Sequence, residues 1–401
     1  MSAADKERIW QQAQELLPWL IEVRRDFHQY PELGFAEFRT QEQIMRYLDE
    51  MGIPHVKAAG TGIVGLIQGG RPGAVVALRA DIDALPILEA EDREYRSKIP
   101  GRMHACGHDA HTTCLLGAAR ILNGIKEELP GTVKLFFQPA EETDGGALPM
   151  IKEGVLDNPK VDAVFGLHVS ADIPVGQIGV KYGQMNAASD DLHITVRGEN
   201  GHGAYPHSGR DAIVIAAHVI TALQTIVSRN VDPRQAAVIT LGVIQGGTAT
   251  NILAQEVKLS GTIRTLDPKV RAFVKERVRE VADLTARSLG GEAEVTMLEG
   301  YTALINNDEL VDLVKRNGEE LLGPQNVRIN PLPNMGVEDF AYFAEHVPGA
   351  FYHLGVRNEE KGCVYPVHHP RFDLDERSLA VGAALQAYNS LVYLKEKEQR
   401  P

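Results

Sequence analysis

Three short apolar runs in this sequence each lead into side chains that can hold a cation or move a proton. Ala74–Arg79 runs into Asp81 and Asp83, Gly131–Gln138 runs into Glu141 and Glu142, and Val161–His168 ends in an imidazole. A short, wholly apolar strand belongs to a sheet covered on both faces. Groups just past the C-terminal ends of such strands stand where open α/β sheets place their sites. Asp81 and Asp83 could instead cap a turn. Adjacent carboxylates such as Glu141 and Glu142 are unfavourable at a strand end unless something positive lies near them. One could then bind a cation while the other acts as a base.

The densest cluster is His104-Ala105-Cys106-Gly107-His108-Asp109-Ala110-His111. So many ligand-type groups within eight residues have two ordinary explanations: metal ligands, or a nucleophile with its base. In an extended or turning backbone, Cys106 and His108 lie on the same side. Gly107 between them lets the chain bend around something close. The Ala- and Leu-rich pattern over Thr112–Leu122 predicts a helix. The cluster therefore sits where a loop enters a helix, and a helix N-terminus favours a thiolate.

At 401 residues, the chain has room for two to three domains. Its formal net charge of −13 argues against nucleic acid and anionic membrane as partners, because phosphate binding needs clustered Lys and Arg. An anionic substrate would need local cations. Three cysteines, Cys106, Cys114 and Cys363, make no disulfide framework and fit a reducing, cytoplasmic setting. Met1–Trp19 is charged and amphipathic, without a signal-peptide core. The apolar stretch Ile213–Val227 is short for a membrane span and reads as a packed helix.

Apolar spacing predicts a helix over 6–29, broken at Pro31, and another over 40–51. Strands are expected over 63–68, 74–79 and 131–138. The texture changes near Gly183. From there the order is strand 191–198, helix 211–228, strands 237–245 and 256–266, helix 268–289 and strand 293–298. This β-α-β-β-α-β order is that of a ferredoxin-like unit. The α/β texture resumes after Tyr301, so the unit is inserted. The fold class expected is therefore α/β, with residues 1–183 and 299–401 forming one domain that carries an inserted ferredoxin-like α+β domain, residues 184–298. His28 and His55 read as surface residues, and Cys114 and Cys363 as packed thiols.

Asp81, Cys106, His108, Glu141, Glu142, His168 and the pair His368-His369 are too many ligands for one closed tetrahedral site. They suit two metals about 3.5–4 Å apart, with a carboxylate taking a proton from an activated water. That chemistry is metal-assisted hydrolysis of a carbonyl compound, such as an amide.

With these residues collected, the sequence resembles the M20 metallopeptidase family in its amidohydrolase branch: aminoacylases, hippurate hydrolases and auxin-conjugate hydrolases. The motifs are Arg-Ala-Asp-Ile-Asp-Ala-Leu-Pro at 79–86, the cluster at 104–111, Gln-Pro-Ala-Glu-Glu at 138–142, Gly-Leu-His at 166–168, Gly-His-Gly-Ala-Tyr-Pro-His at 201–207, Met-Gly-Val-Glu-Asp-Phe at 335–340 and His-His-Pro-Arg-Phe-Asp at 368–373. The resemblance implies that residues 1–183 and 299–401 form a mixed-sheet, zinc-exopeptidase-like α/β catalytic domain. It implies two divalent metals held by Cys106, His108, Glu142, His168 and His368, with His369 as the spare. Zinc comes first, and manganese, cobalt or nickel are admitted by the donor types. Glu141 matches the general base that activates a bridging water. Asp81 matches an aspartate that orients a ligand. Where peptidase relatives place a histidine two before that aspartate, this chain has Arg79, so ligation follows the Cys-containing pattern. In the inserted domain, expected to act as lid and dimerisation surface, His202 matches a histidine that reaches a facing active site and stabilises an oxyanion. Asn251 and Arg264 match residues that hold a substrate carboxylate.

The activity implied is hydrolysis of N-acyl amino acids by a homodimer or homotetramer. A dipeptidase or carboxypeptidase on the same scaffold is the alternative. A cysteine hydrolase using Cys106 and a non-catalytic metal-dependent binder are the other classes to exclude. The zinc nucleobase deaminases do not fit, because their signature is absent. His104, His111, His207 and Glu338 lie inside motifs with weaker claims to a role.

Overall fold

The computed structural model describes residues 3–399. Met1, Ser2, Arg400 and Pro401, at the expected domain limits, lie outside the described residues. The chain divides into two compact units: Met1–Gly183 with Ile305–Leu332 and Tyr342–Pro401, and Gln184–Leu304 with Pro333–Ala341. Residues 299–304 and 333–341, expected in the larger unit, thus belong to the smaller one. The backbone gives the reason. Ser189 N donates to Tyr301 O at 2.9 Å, and Ala187 N donates to Gly336 O at 3.0 Å, so both returning segments are stitched to the start of the strand Ala188–Arg197 or to the residue before it.

The larger unit opens with helices α1 (Ala3–Glu15), α2 (Leu17–Gln29) and α3 (Phe38–Glu50). The single helix expected over 6–29 is in fact two. Pro18 sits in the first turn of α2, where its missing N–H does no harm but would break a continuous helix. Strands β1 (His55–Ala58), β2 (Gly62–Gln68) and β3 (Arg71–Asp81) follow, then helix α4 (His108–Gly124), β4 (Pro130–Gln138) and β5 (Ala163–Pro174). These strands join Gly349–Arg357, Ile178–Val180 and Val327–Ile329 in one eight-stranded sheet. Its order is β1-β2-β4-β3-β5, then 349–357, 178–180 and 327–329. It is mixed: β1, β2 and β4 pair antiparallel, while β4, β3, β5 and 349–357 run parallel.

The parallel centre positions the site. β3 has β4 on one side and β5 on the other, which is a topological switch point. Asp81 stands opposite Gln138, three residues before Glu141. Arg79 stands opposite Gly166, two residues before His168. Three separate apolar runs therefore deliver their polar followers to one edge of the sheet. β5 does not stop at His168, however. It continues to Pro174 because the strand Gly349–Arg357 pairs with it, His353 opposite His168.

The core of this unit takes Ile9, Leu20 and Phe27 from the first helices, Val76 and Leu78 from β3, and Leu115 and Leu122 from α4. The helix Ser378–Gln399 adds residues 378–394, all buried. Each fully buried Leu or Phe contributes roughly 1.5–3 kcal/mol, so α4 and this helix are held by burial on most of their surface.

The smaller unit is a four-stranded antiparallel sheet. Its order is Glu292–Glu299, Ala188–Arg197, Glu256–Thr265, Ala237–Gly246. Helices Ala212–Thr225 and Pro268–Ser288 pack on it. The segment Ala212–Asn230 is long and apolar enough to cross a membrane. Here Ile215, Ala216, Val219 and Leu223 are buried in the unit's core, while Ile213 and Val214 are exposed.

Candidate metal centre

Gly107 starts the site. It lies at φ 83°, and a Cβ there would meet Val169 Cγ2 at 2.5 Å, so only glycine allows the turn into α4. Cys106 and His108 flank it. His108 is fully buried, and its Nδ1 lies 3.2 Å from Asp83 Oδ1. Its Nε2 has no hydrogen-bond partner among the described residues, standing 3.8 Å from Asp81 and 4.0 Å from Glu142 Oε1.

His168 is arranged the same way. Its Nδ1 sits 2.7 Å from Val169 O, so that nitrogen carries the proton, and Nε2 lies 3.3 Å from Cys106 Sγ. On the other flank, His368 Nε2 is 3.0 Å from Glu142 Oε1. The donor atoms form overlapping groups within 4.8 Å of one another: Cys106 with His108 and His168; Cys106 with Glu142 and His368; His108 with Glu141 and Glu142. His369 is in none of these groups. Its ring stacks on Tyr365, and its Nδ1 accepts the Arg371 N–H.

The residues fit a pair of divalent cations. In both His108 and His168 one ring nitrogen is committed to a carboxylate or carbonyl and the other is aimed at shared space, as ligating imidazoles are. Leaving His108 Nε2 unpaired would otherwise cost about 1–3 kcal/mol. Electrostatics agree. Burial opposes charge on His108, but Asp81, Asp83 and Glu142 outweigh it and push its pKa up to about 10. A positive charge is wanted there. Burial drives His168 well below its usual value, leaving a neutral ring. Burial, then Glu142 and Glu141, push the Cys106 thiol well up. An activated nucleophilic cysteine needs the opposite shift, so these surroundings speak against a cysteine hydrolase.

The supporting residues are as ordered. Asp81 Oδ1 lies 2.6 Å from His111 Nδ1 and its Oδ2 receives Arg79 at 2.6 Å. Burial resists its charge, but His108, Arg79 and His111 hold the carboxyl well below its ordinary range. His111 Nε2 accepts the Val169 N–H at 2.9 Å. Both of its nitrogens are thus occupied by protein. Asp83 holds the His108 ring through one oxygen and the Glu142 N–H, at 3.0 Å, through the other.

Sequence reasoning missed a second buried cluster behind the site. His28, read as a surface residue, is fully buried. It lies 2.7 Å from Asp109 and 3.4 Å from Glu89. Arg24 reaches Asp109 at 2.8 Å, Asp373 at 3.2 Å and Glu376 at 3.5 Å. The available signal was Arg24 and His28 at helical spacing beside the apolar Leu20, Val23 and Phe27 of α2.

His202, Asn251 and Arg264 lie in the smaller unit. His202 and Ile252 form a bridge, Gly203 N donates to Asn251 O at 2.8 Å, and His202 Nδ1 accepts the Ala204 N–H. His202 Nε2 is left as a donor on an exposed turn. Arg264 stands half-buried on its strand between Ser189 and Val238.

A four-layered coincidence of sheet, switch point, paired carboxylates and oriented imidazoles defines a metal-dependent hydrolase site. Residues 77–389 match Peptidase family M20/M25/M40. N-acetyl-L-cysteine deacetylase of Bacillus subtilis is 42% identical over 381 residues, covering 95% of this chain and 89% of that protein. Thermostable carboxypeptidase 1 of Saccharolobus solfataricus is 39% identical over 386 residues, covering 95% and 97%. The solved structure of the Bacillus subtilis YXEP protein, described as a dinuclear metal binding peptidase from the M20 family, superposes with a TM-score of 0.84 at 35% identity, covering 95% of this chain and 99% of that one. The chain belongs to peptidase family M20, in the amidohydrolase branch of its hydrolases.

Proposed function

We propose that this enzyme hydrolyses the amide bond of N-acyl amino acids. The observation that carries the reading is the pair of rings His108 and His168, each with one nitrogen held by protein, His168 grouped with Cys106 and His108 grouped both with Cys106 and with the adjacent carboxylates Glu141 and Glu142. Cys106, His108, Glu142, His168 and His368 would hold two divalent cations, zinc first. Such a pair supplies Lewis-acid polarisation and water of lowered pKa. Glu141 takes a proton from the attacking water and delivers it to the leaving nitrogen as the C–N bond breaks and the C–O bond forms. Asp83 keeps the His108 ring and the Glu142 backbone in register, and Asp81 does the same for His111.

The smaller unit is assigned the lid and dimerisation role. His202, whose Nε2 is a donor, serves the developing oxyanion, while Asn251 and Arg264 hold the substrate carboxylate. Three unpaired cysteines support a cytoplasmic setting. A carboxypeptidase or dipeptidase is the second reading, favoured by the Saccharolobus relative's name.

Comparing turnover of N-acyl amino acids with that of free-amine dipeptides separates the two. Glu141→Gln should lower kcat by roughly 10²–10⁴-fold with metal content unchanged. Parental turnover in that variant would overturn the assignment of the base.

A further inference from the structure

We propose that Glu37 is a positioning residue for Glu141, holding the backbone of Ala140 in the conformation that presents the base. The inference rests on Glu141 acting as that base.

Ala140 is fully buried and lies at φ 56°. A residue with a side chain pays about 1–2 kcal/mol for this left-handed conformation, so something must hold it. The next two residues are Glu141 and Glu142, and Gly145 N closes the turn on Ala140 O at 3.0 Å. The direction of both carboxylates therefore follows from Ala140.

What holds Ala140 is Glu37. Its Oε1 accepts the Ala140 N–H at 2.9 Å, and its Oε2 accepts the Thr61 hydroxyl at 2.5 Å. Glu37 is fully buried. It stands immediately before α3 and makes no cap hydrogen bond to that helix. Glu32 does that work instead, accepting from Arg39 N at 3.1 Å and Thr40 N at 2.8 Å. Glu37 is thereby released to point across at the site loop. The two segments also touch directly, since a Cβ on Gly34 would lie 3.0 Å from Ala140 Cα. Burial pushes the Glu37 carboxyl up to about 7 against the pull of its Thr61 hydrogen bond. An acid kept in so unfavourable a place, with a backbone amide as its object, is a feature of function more than of stability.

The test is a series on the intact enzyme, with kcat, KM, bound metal and urea midpoint measured for each variant. Glu37→Leu removes both acceptors and should lower kcat about 10- to 100-fold, with KM and metal stoichiometry little changed. Glu37→Gln can still accept from Ala140 N while its amide donates to Thr61, and should recover most of that loss. Adding Ala140→Gly to Glu37→Leu should also recover kcat, because glycine adopts positive φ freely. If Glu37→Leu does not fold, Glu37→Asp, one methylene short of the amide, takes its place. Parental kcat in Glu37→Leu, or a loss that neither Glu37→Gln nor Ala140→Gly relieves, would overturn the positioning role. An inactive Glu141→Gln beside a fully active Glu37→Leu overturns this inference alone. A fully active Glu141→Gln overturns the reading beneath it.

Discussion

His108 and Asp109 are neighbours at the start of α4, yet they face two different kinds of buried polar cluster. Behind the helix, Asp109 meets Arg24 and His28, and the charges there close on one another. Arg24 has Asp109, Asp373 and Glu376, His28 has Asp109 and Glu89, and Asp373 also takes Arg93 and the Tyr95 hydroxyl. In front, His108 ends in a nitrogen with no hydrogen-bond partner among the described residues, beside a thiol, two adjacent carboxylates and two further imidazoles. In the first cluster the carboxylates are matched by protein cations, and Arg24 Nη1 keeps only its 3.5 Å ion pair with Glu376. The second gathers its donor atoms and leaves His108 Nε2 without a hydrogen-bond partner among the described residues, as a cation site would. Burial alone does not distinguish a structural network from a ligand site; the direction of the unspent lone pairs does.

The contrast can be broken most directly at Arg24. Arg24→Met strands buried carboxylates and should lower unfolding free energy by roughly 3–5 kcal/mol. Urea denaturation measures this, while the number of cations bound per subunit stays the same. Equal damage to both quantities would show that the clusters are one.

His104 is the exception on the closed side. It is buried, neither ring nitrogen has a hydrogen-bond partner among the described residues, and burial pushes its pKa down to about 3. A histidine depressed in the folded state contributes stability that is present above its unfolded pKa near 6.5 and is lost as pH falls toward the folded value. In metal-free protein, His104 should therefore cost about 3 kcal/mol at pH 4 relative to pH 7. His104→Gln should flatten that acid limb in denaturation curves taken across pH 4–7. An unchanged limb would place the proton elsewhere.

The smallest effect sharpens the other side. Asp83→Asn leaves the ligands in place but loosens the His108 ring and the Glu142 backbone. It should weaken cation binding by about 10- to 100-fold, measured by chelator competition, with a smaller loss of metal-free stability than Arg24→Met.

Much of the front cluster was legible because its residues are local to strand ends. Asp81, Glu141 and His168 each follow an apolar run, and the register of three parallel strands does the rest. The choice of His368 over His369 came from a resemblance, and the structure places His368 beside Cys106 and Glu142. The rear cluster was not legible. Arg24 and Asp109 are 85 residues apart, and Arg24 and Asp373 are 349 apart. No periodicity in a single sequence reports such pairs. Glu37 failed to stand out for the same reason, since its partners Thr61 and Ala140 lie 24 and 103 residues away. The split at Pro18 was legible and overlooked. The extra length of β5 was not, since it depends on a partner strand nearly two hundred positions later.

That distant partner carries a consequence for how the enzyme is made. The strand Gly349–Arg357 and the helix Ser378–Gln399 follow the inserted unit in the chain, so a ribosome must finish the insertion before the large sheet can acquire its neighbour to β5. Until then β5 offers an unsatisfied backbone edge to any passing strand. The nascent chain is most vulnerable to mispairing in that window.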